Sequence, residues 1–159
     1  MDTLQINVDS FQKENWSEQE KQNVKLISDF ITHLMNKHDF EYIRSKFGGQ
    51  AYVQHNRSIP DGLEALIKYV ADFVKRYPEY SYDVKHMYAD GDFVIFHSHA
   101  TLKAEDRGND KKGLNIIDTW KIENGQIADH WDALQPMDGF MRFYNLMTGG
   151  KIRNTNGVY

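Results

Sequence analysis

The apolar residues of this chain change their spacing once, near Tyr80, and that change restricts the fold more than any other feature. Upstream, Val24, Ile27, Ile31 and Leu34 recur every three or four residues, as do Leu63, Leu66, Val70, Val74 and Tyr77; downstream, apolar and polar residues alternate. The first spacing belongs to helices with one buried stripe, the second to strands with one buried face. Helices first and strands second predict an α+β domain in which the helices cover one face of a sheet.

The punctuation agrees. "SEQE" at 17–20 offers Ser17 as N-cap and Glu20 as the returning carboxylate of a capping box, opening a helix that runs to about Lys37. A shorter helical turn follows over 39–46, and "GGQAYVQHN" (48–56) reads as a short strand. Asp61 and Glu64 repeat the cap pattern for a second helix, which Pro78 closes. Strands are expected over about 80–88, 93–102, 113–122 and 126–134, separated by "ADGD", the charged loop "KAEDRGNDKK" and "ENGQ". Asp-Gly and Asn-Gly are hairpin signals, so this half reads as an antiparallel meander. "FMRFYNLM" suggests a short helix, and "TGGKIRNTNGVY" a tail that is mobile or docked on a partner subunit. The chain thus reads as a single domain, 1–159, with a core over about 17–136, an N-terminal extension 1–16 and a tail 137–159.

Composition removes several functions. Nineteen basic residues against 23 acidic ones, with no basic stripe, argue against nucleic acid or an anionic membrane as partner. The absence of cysteine removes disulfides, thiolate nucleophiles and cysteine-ligated zinc. No basic segment followed by an apolar run stands at the N-terminus and no stretch of eighteen apolar residues occurs, which predicts a cytoplasmic protein.

Three strands carry polar residues where apolar ones are expected. In "FVIFHSHATL" (93–102), His97 and His99 leave the same face and must address something together. In "LNIIDTWKI" (114–122), Asp118 sits among Leu114, Ile116, Trp120 and Ile122; a carboxylate there is paired, raised in pKa, or facing a cavity. "QIADHWDAL" places His130 and Asp132 on one face. A two-residue Asn124-Gly125 turn would oppose Asp118 to Trp131 and turn His130 and Asp132 away from it. A three-residue turn with a bulge at Gly125 would oppose Asp118 to His130 and gather all three on one face. The sequence suits both.

"YVQHN…DG", "ADGD" before a strand with "HSH", "IIDTW" and "NGQIADHWD" together resemble the SnoaL-like polyketide cyclase branch of the NTF2-like superfamily, over about residues 17–136. The resemblance implies a cone: a curved antiparallel sheet packed against N-terminal helices around an interior pocket. It implies cofactor-independent acid–base chemistry, with Asp132 of "HWD" as acid or base and Asn56 or His55 of "QHN" polarising a substrate oxygen. It favours the bulged hairpin register. The chain is further read as a homodimer through the outer sheet face.

Three readings follow. In the first, Asp132, Asp118 and His99 carry acid–base catalysis on a small, largely apolar carbonyl compound, by aldol-type cyclisation, isomerisation or dehydration, without cofactor or metal; His55, Asn56, His97, His130 and Trp120 line the substrate site. In the second, His97 and His99 are a metal-ligand pair, although the glutamate spacing that usually accompanies His-x-His is missing: Glu105 comes six residues after His99. In the third, the pocket is a non-catalytic binding module for a small ligand.

Overall fold

The computed structural model describes residues 3–49, 51–148 and 153–157. The remaining parts of the expected N-terminal extension, of the 48–56 strand and of the tail lie outside the described residues.

Helix α1 (Glu18–Ile31) starts as its sequence predicts: the Ser17 side chain accepts from the Glu20 backbone N–H, and the Glu20 carboxylate accepts from the Ser17 backbone. It continues as a π-helical segment, Thr32–Lys37, ending at His38 in the left-handed conformation. Its stripe of Val24, Ile27, Phe30, Ile31 and Leu34 is buried. Helix α2 (Phe40–Phe47), capped by the Asp39 carboxylate, follows. Helix α3 (Leu63–Arg76) begins one residue later than the Asp61 cap would give, with Gly62 as N-cap and no side-chain cap. Asp61 is engaged elsewhere: its Oδ1 accepts from the Gln54 backbone N–H and from Asn156 Nδ2, each at 2.8 Å.

The sheet has the order β1-β5-β4-β3-β2, with β1 (Val53–Gln54), β2 (Ser81–Asp90), β3 (Phe93–Thr101), β4 (Leu114–Glu123) and β5 (Gln126–Pro136). The last four form the expected antiparallel meander, while β1 is shorter than predicted and pairs parallel to β5. Extra residues at Lys85 in β2 and Ala128 in β5 interrupt the pairing. Such bulges bend and twist a strand, and the sheet curves around the helices. Helix α4 (Gly139–Thr148) follows β5. No helix among the described residues is long and apolar enough to cross a membrane.

The hairpin takes neither expected register unchanged. Asn124 and Gly125 both have positive φ (52° and 74°), and Glu123 faces Gln126, so the turn has two residues. The compensating residue lies further along: Ile122 pairs with Ile127 but Lys121 with Asp129, leaving Ala128 unpaired. That single extra residue restores the facing that the two-residue turn alone would have lost. Trp120 opposes His130, and Asp118 opposes Asp132.

Candidate active site

The inner face of the sheet and the helices enclose a cavity of about 140 Å³, close to the volume that takes a single six-membered ring. Aromatic residues, including Phe30, Tyr52, Phe73, Tyr80 and Tyr82, share its wall with aliphatic ones, and α4 contributes Met141 and Tyr144. Burial pushes the Tyr52, Tyr80 and Tyr82 hydroxyls well above their usual range, so they enter the cavity as neutral groups. Asp118, Trp120, His130, Asp132 and Asn56 all reach it, and no lysine or arginine lies among its described lining residues.

Two carboxylates directly opposed across a ladder repel unless something neutralises them. Here His130 intervenes. Its Nε2 lies 3.0 Å from Asp118 Oδ1 and its Nδ1 3.1 Å from Gln54 Oε1, and Gln54 Nε2 donates to the Tyr52 hydroxyl at 3.4 Å. With a Gln54 oxygen facing Nδ1, that nitrogen carries a proton, and the Nε2···Oδ1 contact holds a second one, owned by either partner. Burial raises the Asp118 carboxyl above its ordinary range, against the opposing pull of His130. Burial opposes a charged His130 ring, yet the bonded Asp118 carboxylate outweighs it and the ring is also raised. Asp118 Oδ2 is buried and has no hydrogen-bond partner among the described residues.

Asp132 is held differently. Asn56 Nδ2 approaches both of its oxygens, at 2.8 and 2.7 Å, while Asn56 Oδ1 accepts from the Ser58 backbone N–H at 2.8 Å. That backbone bond fixes which end of the amide faces the carboxylate. The site therefore contains a neutralised Asp118–His130 pair beside a hydrogen-bonded carboxylate, the combination that separates an acid from a base.

The other expected residues lie on the outer face. His97 opposes Ile117 and His99 opposes Asn115, whereas the inner face of β3 carries Val94, Phe96 and Ser98. His97 Nε2 bonds Asn115 Oδ1 at 2.5 Å, and His99 Nε2 donates to the Lys112 carbonyl at 2.7 Å under the folded-back charged loop. The expectation that they line the pocket is thus corrected by strand parity. The same holds for His55, which stacks on Trp131 and bonds Asp129 at 2.9 Å outside the cavity. In "YVQHN" the inward set is Tyr52, Gln54 and Asn56, and His55 cannot share it.

Nor do His97 and His99 meet a third ligand: the one group of three or more potential ligands among the described residues is Asp118, His130 and Asp132, with donor atoms within 4.8 Å of one another. A cation there would have to replace the proton shared by His130 and Asp118. Sequence reasoning missed Gln54 and the inward tyrosines, although the alternation of Tyr52, Gln54 and Asn56 was the available signal.

A curved sheet packed against N-terminal helices around an interior cavity is the architecture of the NTF2-like class. A model of the SnoaL-like domain matches residues 27–130, and the chain belongs to that family. No curated protein matches it. Among solved structures it is similar to a candidate polyketide cyclase from Bacillus cereus ATCC 10987 (18% identity, TM-score 0.63, covering 87% of this chain and 89% of that one). A candidate SnoaL-like polyketide cyclase from Jannaschia sp. CCS1 is also similar (17%, TM-score 0.59, 86% and 98%), as is AclR, a candidate hydroxylase from Streptomyces galilaeus (14%, TM-score 0.57, 82% and 97%). At these identities the likeness shows the fold alone.

Proposed function

We propose that the cavity is the active site of a cofactor-independent acid–base enzyme acting on a small, neutral, largely apolar carbonyl compound, by aldol-type cyclisation, isomerisation or dehydration. The observation that carries this reading is the buried Asp118–His130 pair, with one bare carboxylate oxygen, beside the Asn56-held Asp132. Asp132 removes a proton next to the substrate carbonyl. The Asp118–His130 pair supplies the hydrogen bond or proton that the developing enolate oxygen needs. The absence of lysine and arginine among the described lining residues favours neutral substrates over carboxylates and phosphates. The cyclase names among the similar structures fit such chemistry. The protein is read as a cytoplasmic, single-domain homodimer, associating through the outer sheet face that exposes Tyr88 and Ile117.

The test begins with ring-sized neutral ketones, enones and β-hydroxy ketones screened by thermal shift, followed by NMR detection of deuterium exchange α to the carbonyl in D₂O. Wild-type protein should accelerate exchange in at least one binder, and Asp132→Asn should lose about a hundredfold or more of that rate while keeping its fold. Binding without exchange across the series would instead indicate a non-catalytic ligand module.

A further inference from the structure

The tail of this chain was expected to be mobile or docked on a partner; residues 153–157 instead lie on the chain's own loop between β1 and α3. That loop carries Asn56; β1 is only two residues long, and beyond it the sheet holds the loop through His55, whose N–H donates to His130 O at 2.9 Å and whose Nε2 lies 2.9 Å from Asp129 Oδ1. We infer that residues 153–157 form a clasp that positions Asn56 against Asp132, with Asn154 and Asn156 as its positioning residues.

The grip falls on three carbonyls of the loop and on that of Gln54 at the end of β1. Asn156 Nδ2 donates to Gln54 O at 2.8 Å, the Arg153 backbone N–H to Arg57 O at 2.7 Å, and Asn154 Nδ2 to both Asn56 O and Ile59 O, at 2.9 and 2.8 Å. Asn154 is 9% exposed, and its Oδ1 accepts from the Asn156 backbone N–H at 3.2 Å. Both donors and the acceptor of this buried amide are therefore in use.

The two carbonyls that Asn154 bridges bracket Ser58, whose N–H fixes the Asn56 amide. Fastening the turn at residues 56 and 59 holds Asn56 in the orientation that presents its NH₂ group to both Asp132 oxygens. Inside the loop the turn closes on itself, Ile59 N–H donating to Asn56 O at 3.1 Å, and Gln54 N–H to Asp61 and Gly62 N–H to Tyr52 O fasten its far end; the tail adds the contacts that hold this turn from outside. The same C-terminal stretch includes α4, which contributes to the cavity wall, so one segment both lines the site and sets its carboxylate partner.

This inference rests on the reading of Asp132 as the reacting carboxylate, but its test requires no turnover, so the two can fail separately. The full-length ¹⁵N-labelled protein is compared with Asn154→Asp, which keeps the shape and the acceptor but removes both donors, and with Asn156→Ala at the rim of the clasp. The expected result is an increase of about tenfold or more in hydrogen exchange at Ser58 and Ile59, and a shift of the Asn56 side-chain amide resonances toward those of a free amide, with β3 and β4 amides unchanged. Asn156→Ala decides alone where Asn154→Asp does not fold. Asn56 resonances and Ser58 exchange identical to wild type, even with a lowered melting temperature, would mark the tail as a structural fastening only and overturn the inference.

Discussion

His130 Nε2 and Asp118 Oδ1 stand 3.0 Å apart in a site where neither residue is more than 6% exposed, and both groups have their pKa raised. A raised folded-state pKa means that the folded protein binds protons the unfolded chain has released. For His130 this stabilisation is complete below about pH 6.5, its unfolded value, and is lost as the pH rises through the higher folded value. The Asp118 contribution has the same sign, present below its unfolded value near pH 3.9 and lost above it.

Denaturation midpoints should therefore fall as the pH rises from about 6.5 upward. Asp118→Asn removes the carboxylate and leaves burial as the largest influence on the ring, which lowers the His130 pKa. The slope near neutrality should then reverse, with stability lost toward acid pH. Equal slopes in the two proteins would show that His130 and Asp118 do not share a proton.

His97 and His99 are expected to leave metal behaviour untouched. Each spends its Nε2 on the protein, His97 on Asn115 and His99 on the Lys112 carbonyl. Zn²⁺ or Mn²⁺ titrated into chelator-treated wild-type and His97→Ala/His99→Ala proteins should give the same thermal-shift response. His99→Ala should cost about 1 kcal/mol through the lost bond to the loop. A saturable stabilisation seen only with the wild type would restore the strand histidines as ligands.

Periodicity made the helices, the meander, the apolar-face position of Asp118 and the shared face of His130 and Asp132 readable, because each is a local pattern; whether that shared face met Asp118 stayed open. What it could not supply was where a strand gains an extra residue. The choice was posed between two turn lengths, and the chain keeps the short turn while inserting Ala128 three residues beyond it, a bulge that no glycine announces. Parity, by contrast, was already in the sequence. His55 and Asn56 are adjacent in an extended segment and point to opposite sides. On β3 the set Val94, Phe96 and Ala100 is the more apolar, which assigns His97 and His99 to the outside.

Gly113 is predicted to be irreplaceable at the start of β4. It has φ +79°, and a Cβ built there would lie 2.1 Å from the Ala100 carbonyl oxygen, a backbone atom paired into the sheet. Gly113→Ala should cost about 2–4 kcal/mol, combining left-handed strain with displacement of the β3–β4 ladder. Gly125→Ala, with open space around its Cβ position, should cost only about 1 kcal/mol. Urea midpoints for the two variants would separate the close approach from the φ penalty, and equal losses would show that the Ala100 contact relaxes freely.

The Asn56–Asp132 contact can be tested by inverting its charge balance. Asn56→Asp keeps size and shape and replaces two donor contacts of 2.7 and 2.8 Å by two facing carboxylates. Like charges in a partly buried site of this kind should destabilise the fold by about 2–4 kcal/mol near neutral pH. The new pair can share one proton in acid, so the penalty should shrink by more than half at about pH 4–5. Asn56→Ala loses the donors without adding charge and should show a smaller loss with no such recovery. Denaturation midpoints of the three proteins across this range distinguish the cases, and a pH-independent penalty in Asn56→Asp would mean that residue 56 swings away from Asp132 once its donor is gone.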